Sequence, residues 1–205
     1  MNAMKAKRDL TQMTREQIRA RFGVDDGQPG VQDKNLRHKK TYAAAGGTSE
    51  IIFFNESVGN NNVTLATTNM EENGKLPVSK DFLLEGFELR PFANAATEAN
   101  RILDLVALLN TGVLQFTYRD KPRFEDGPLV NFVANKALIG VDATTGDGEA
   151  VYYMLRNPIC IEGGKNFAVS ILWKDAGGSP LTTATVDLDM RLLGQEIAGP
   201  SRAGI

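Results

Sequence analysis

The chain has 205 residues, 42% apolar and 23% charged, with 20 glycines and eight prolines, a soluble composition with room for one sizeable domain plus an arm but not for two full domains. Cys160 is the only cysteine, which excludes an intrachain disulfide and any multi-cysteine metal centre. The net charge of −2 hides an asymmetry: residues 1–40 carry ten basic and five acidic side chains, so that part is +5 and the remainder −7.

The opening residues lack the apolar core of a secretory signal, and no stretch approaches the roughly 18 apolar residues that span a bilayer. The expectation is therefore a protein made and used in the cytoplasm, or packaged from it. Asn55-Glu56-Ser57 and Asn62-Val63-Thr64 match a glycosylation pattern, which without a secretory signal reads as chance.

Thr14-Arg15-Glu16-Gln17 is a capping box, and Ile18 with Phe22 forms an i, i+4 apolar pair, so a short helix is predicted over 15–22 with Gly23 ending it. Residues 24–49 mix Gly, Pro, Asp and Lys without helical or strand period, and read as an extended arm or linker. The predicted organisation is thus a basic arm over 1–49, a sandwich over 50–197 and a tail over 198–205.

From Glu50 the texture changes. Ile51 to Phe54 is an apolar run of strand length, and Val63 to Thr68 is β-branched after an Asn-rich turn. In Asp81–Arg90 the apolar phase slips between Phe82/Leu84 and Phe87/Leu89, and a β-bulge at Glu85-Gly86 restores both pairs to one face. A helix is predicted over 98–109, N-capped by Thr97, with Ile102, Leu105, Val106 and Leu109 on its apolar side.

Strands are predicted over 113–120, 128–134, 136–142, 150–156, 158–162, 167–173 and 185–194, separated by turn clusters. Phe167, Val169, Ile171 and Trp173 alternate with Ala168, Ser170 and Leu172, while Val186, Leu188, Met190 and Leu192 oppose Asp187, Asp189 and Arg191. Such stripes need a second layer to cover them. Short strands, one inserted helix and no βαβ alternation predict an all-β, antiparallel two-sheet sandwich, its core including Phe116 and the stripes of 167–171 and 186–190.

The chemistry-bearing residues are few. His38, the only histidine, stands in Arg-His-Lys-Lys and reads as a solvated arm residue, so the body holds no Ser-His-Asp triad and no histidine metal site. Cys160, between two isoleucines, reads as a buried inert thiol. Asp187 and Asp189 share a face and have the residue type of a glycosidase pair, but Arg191 continues the stripe, which favours a solvated or inter-subunit face. Asp142 to Glu149 offers three carboxylates without the ligand spacing of an EF-hand, and Gly163-Gly164-Lys165 precedes a strand, so it lacks the helix of a phosphate loop. No catalytic, cofactor-binding or metal-binding residue is assigned. Lys5, Lys7, Arg8, Arg15, Arg19 and Arg21 are the candidate contacts for nucleic-acid phosphates, anionic lipid or neighbouring subunits, with a solubilising tail as the alternative. Phe22 is the sole aromatic before Tyr42, which argues against base stacking by the arm.

The arm with its helix, the mid-body helix, the stretch Arg156 to Trp173 (RNPICIEGGKNFAVSILW) and the closing Val186 to Gly194 (VDLDMRLLG) together resemble single jelly-roll capsid or virion proteins of icosahedral bacteriophages. The resemblance covers roughly residues 50–197. It implies a jelly-roll structural subunit of a virion, without enzymatic activity, cofactor or small-molecule substrate, assembled in the host cytoplasm. Its implied partners are copies of itself, other virion proteins and, through the arm, the packaged genome or an internal membrane. The competing expectation is a carbohydrate-binding jelly roll, whose candidate stacking rings are Tyr118, Tyr152, Tyr153 and Trp173.

Overall fold

The computed structural model describes residues 31–43, 49–60, 62–93, 106–133, 153–173 and 185–198. The strands are β1 (Val31–Asp33), β2 (Leu36–Ala43), β3 (Glu50–Phe53), β4 (Lys80–Ala93), β5 (Val113–Tyr118), β6 (Lys121–Asp126), β7 (Tyr153–Ile161), β8 (Phe167–Leu172) and β9 (Thr185–Ala198). They form two antiparallel sheets. One runs β1-β9-β4-β7, with β2 also on β9, and the other runs β3-β8-β5-β6. The ladders are nested: β2 pairs β9, β3 pairs β8, β4 pairs β7 and β5 pairs β6, while β4–β9 and β5–β8 contacts join the pairs side by side.

The alternations read from the sequence sort side chains as expected. Phe167, Val169, Ile171 and Trp173 are buried, as are Val186, Leu188, Met190 and Leu192 and the facing Phe116. They belong to one continuous core between the sheets. Against β9 the register of β4 shifts between Leu84 and Gly86, leaving Glu85 as the extra residue, whereas against β7 the same interval faces four residues, 155–158. That bulge lets Phe82, Leu84, Phe87 and Leu89 all enter the core. It also packs backbone on backbone: a Cβ at Gly194 would lie 2.0 Å from the Leu83 carbonyl oxygen.

Several expectations change. The sandwich does not begin at residue 50. Residues 31–33 and 36–43, assigned to the arm, are β1 and β2, and Leu36, His38 and Tyr42 are buried in the sheet. Leu36, His38, Lys40 and Tyr42 are the inward parity of β2, and two of those four are polar, which erased the period-2 pattern. Residues 63–68 form turns and one bridge at Thr68 rather than a strand. The predicted strand over 128–134 is a 3-10 turn, Leu129–Phe132, that buries Leu129 and Phe132. Strand β6 was missed because Lys121-Pro-Arg-Phe-Glu-Asp is an exposed edge, where proline and charge are tolerated. Arg119 and Asp120, both at positive φ, make the two-residue turn that pairs it with β5. Strand β7 spans Pro158, with its ladder to β4 interrupted over residues 155–158, as an edge strand permits.

Of the predicted helix, residues 106–111 are described and helical. Leu109 is buried as expected, but Val106 is exposed and Leu108 takes the buried position beside it, its carbonyl accepting from the Trp173 indole at 3.4 Å. Ile102 and Leu105, the predicted strand over 136–142 and the helix over 15–22 lie outside the described residues.

Two substitutions test this packing. Ile171→Ala, in the middle of the core, is expected to cost about 2–5 kcal/mol in urea unfolding. Gly194→Ala, which forces a methyl against a backbone carbonyl, is expected to cost about 1–3 kcal/mol although it adds apolar surface; neutrality there would mean that the β4 bulge yields.

Candidate functional site

The six basic residues singled out in the arm, Lys5, Lys7, Arg8, Arg15, Arg19 and Arg21, lie outside the described residues, as do Tyr152 and the 142–149 carboxylates. What the fold assembles instead is a charged ladder on the outer face of the five-stranded sheet. Strand alternation puts Arg37, Lys39 and Thr41 of β2 beside Arg191, Asp189 and Asp187 of β9, and Glu88 and Arg90 of β4 beyond them. Thr41 Oγ1 donates to Asp187 at 2.6 Å and Lys39 Nζ lies 2.8 Å from the same carboxylate. Arg191 donates to Asp189 through Nε and Nη2 at 3.2 and 3.0 Å.

Glu88 is only 1% exposed and is ion-paired with Arg90, with Arg191 Nη1 at 3.9 Å. A carboxylate this far from water persists only with such partners, because removing one leaves a buried uncompensated charge. The Asp187/Asp189 pair is thereby engaged with cations on its own and the neighbouring strand, in the arrangement of a salt-bridged face.

A second cluster surrounds His38, expected in solvent but completely buried. Its Nδ1 accepts the Phe54 backbone N–H at 2.7 Å, and its ring meets Phe53 and Phe54 edge-on at 6.2 and 5.9 Å. Phe54 itself sits at φ +65°, a left-handed conformation costing about 1–2 kcal/mol for a non-glycine residue, and its buried ring and the imidazole bond hold it there. Nε2 has no hydrogen-bond partner and lies 3.5 Å from Glu56 Oε2, whose other oxygen is paired with Lys40. Burial, and then the Lys40 ammonium, hold the His38 pKa down at about 4, against the opposing pull of Glu56. The Lys40 bond holds the Glu56 carboxyl below the usual carboxylate range.

The remaining candidates are accounted for in the packing. Trp173 and Tyr118 are buried, Trp173 against Tyr42 at 4.6 Å and Tyr118 accepting the Glu162 N–H at 3.1 Å. Tyr153 donates to Asp126 at 2.8 Å, joining edge strands β7 and β6 of the two sheets, and burial pushes its hydroxyl up to about 12. Cys160 is half-buried rather than buried. Among the described residues no group of three His, Cys, Asp or Glu side chains is placed to hold a metal ion. No protein-family profile matches the chain, and searches of curated proteins and of solved structures return no match.

Sequence reasoning missed His38 and Glu88. Arg-His-Lys-Lys carries no sign of a buried imidazole, and Glu88 is set apart from any surface glutamate only by the register that brings Arg191 opposite it.

The His38 environment has a pH consequence. Its folded pKa of about 4 lies below the ordinary 6.5, so the unfolded chain takes up the proton first. Stability is full above pH 6.5, falls as pH drops from 6.5 to about 4, and this contribution is then exhausted, for a loss on the order of 3 kcal/mol. Urea unfolding of His38→Gln, whose amide keeps a neutral acceptor for Phe54, is expected to show that decline flattened by comparison with wild type.

Proposed function

We propose that this chain is a jelly-roll structural subunit of an icosahedral bacteriophage capsid, assembling through the faces of its sandwich and through an N-terminal arm. The observation that carries the reading is the nested pairing of β2 to β9. The order is that of one long hairpin, first strand on last and second on penultimate, rolled up so that alternate pairs fall in opposite sheets. That strand order, with β1 as an addition alongside β9, agrees with the jelly-roll arrangement of two Greek keys and supports the reading.

That architecture serves shells, lectins and cupins alike, so the site must choose among them. The lone histidine is spent on the core, and Trp173 and Tyr118 present no free ring face to a sugar. Support for an assembling surface comes from the exposed large apolar side chains: four of the six among the described residues, Ile52, Val58, Leu65 and Val78, lie on β3 and the connection after it. The resemblance of the 156–173 and 186–194 stretches to phage shell proteins points the same way. The partners on this reading are copies of the chain and other virion proteins, with genome or membrane contact through Lys5, Lys7, Arg8, Arg15, Arg19 and Arg21.

The test is particle size. Full-length protein, followed by light scattering and electron microscopy, is expected to form closed shells alone or with its virion partners. Deleting residues 1–30 is expected to leave the sandwich folded and assembly altered. Deleting 1–40 is expected to unfold it, because β1 and the Leu36–Lys40 part of β2 go too. Arm contacts with genome or lipid are expected to weaken as the screening length falls below about 8 Å. Normal particles from the 1–30 deletion would remove the arm's role, and a protein that stays monomeric under all conditions would sink the shell reading.

A further inference from the structure

The ladder on the outer face ends in a rung that violates charge pairing. Arg37 and Arg191 are direct register partners on β2 and β9, and like charges placed opposite each other repel. The carboxylates do not resolve the conflict. Asp187 is taken by Lys39 and Thr41, and Asp189 and Glu88 both engage Arg191. Among the described residues Arg37 is ion-paired with no carboxylate; its Nη2 donates to the Leu65 carbonyl and its backbone N–H to Asn69 Oδ1 at 2.7 Å.

Around this rung lies a cleft of about 190 Å³ lined by Asn35, Arg37, Asn69 and Arg191. Its wall is held in place, because the Asn69 amide accepts from Arg37 and donates to the Asn35 carbonyl at 2.8 Å, tying the connection after β3 to β2. A lining of two guanidinium groups and two side-chain amides is rich in donors and contains no carboxylate. Planar guanidinium forks match oxyanions; the Nε–Nη2 edge of Arg191 is already on Asp189, so Arg37, which meets no carboxylate among the described residues, supplies the fork and Arg191 adds positive charge beside it.

We propose that this cleft is a binding site for a tetrahedral oxyanion of the phosphate class, held between Arg37 and Arg191. The anion supplies the counter-charge that Arg37 lacks. It also bridges β2 to β9 where the connection after β3 is attached. The site is independent of the shell reading, since its evidence is the register of two strands and the lining of one cleft.

Calorimetric titration of the full chain with inorganic phosphate, against chloride at matched ionic strength, tests it. The expected result is saturable binding that weakens roughly tenfold or more in Arg37→Gln and is unchanged in Lys39→Gln, which removes a cation of the same face outside the cleft. Arg37→Lys keeps the charge without the fork, is expected to bind more weakly than wild type, and covers the case in which Arg37→Gln does not fold. Dimethyl phosphate distinguishes the sources: binding as tight as that of inorganic phosphate assigns a diester, as in a nucleic-acid or phospholipid backbone, whereas weaker binding assigns free phosphate or a monoester. Heats equal to those of chloride, undiminished affinity in Arg37→Gln or Arg37→Lys, or an equal loss in Lys39→Gln would each overturn the proposal.

Discussion

Strand β9 is the constraint on which the rest of the molecule depends. Its 14 residues pair with β1 and β2 on one side and with β4 on the other, so the last strand is the centre of the larger sheet. One face contributes Val186, Leu188, Met190 and Leu192 to the core, and the other carries Asp187, Asp189 and Arg191 into the charged ladder. A one-residue slip of β9 would exchange those faces, burying three charges and exposing four apolar side chains. The register is therefore held from both sides at once. Because it joins residues far apart in the chain, closing this sheet carries a large loop entropy before any reward, the mark of a slow-folding all-β topology.

The connection between β3 and β4 is the second element that tertiary contacts organise. It has almost no secondary structure, yet it follows β2 through the Lys39–Thr67 and Asn69–Arg37 backbone bonds and the Thr68 hydroxyl on the Arg37 carbonyl. His38 secures its start at Phe54, and the Arg37–Asn69 bond secures its middle. These contacts cover the free edge of β2, which would otherwise offer unpaired backbone groups to another strand. For a protein proposed to assemble through chosen surfaces, a covered edge matters: it removes β2 from strand-to-strand association.

The two faces of the five-stranded sheet divide the labour. The inner face is apolar and specifies the fold, whereas the outer face holds Arg37, Lys39, Asp187, Asp189, Arg191, Glu88 and Arg90, the polar side of a half-buried antiparallel sheet. Surface ion pairs add little to stability, but the nearly complete burial of Glu88 makes part of this network intolerant of losing a member. A charged face with that internal constraint suits recognition, of an anion at its Arg37–Arg191 end and, on the proposed reading, of neighbouring subunits.

Local pattern alone determined the elements whose side chains obey a single period. Phe167–Trp173 and Val186–Leu192 announce their buried faces by strict alternation, and the phase slip around Gly86 announces the bulge, because each depends only on neighbours along the chain. Tertiary structure decided the rest. Leu36–Tyr42 reads as a basic arm until β9 lies beside it, since His38 and Lys40 occupy inward positions that only Phe54 and Glu56, from another segment, make tolerable. Lys121–Asp126 becomes a strand only because β5 has an open edge to receive it. The cation rung and the buried Glu88 exist only in cross-strand register, a long-range relation that no window of the sequence contains.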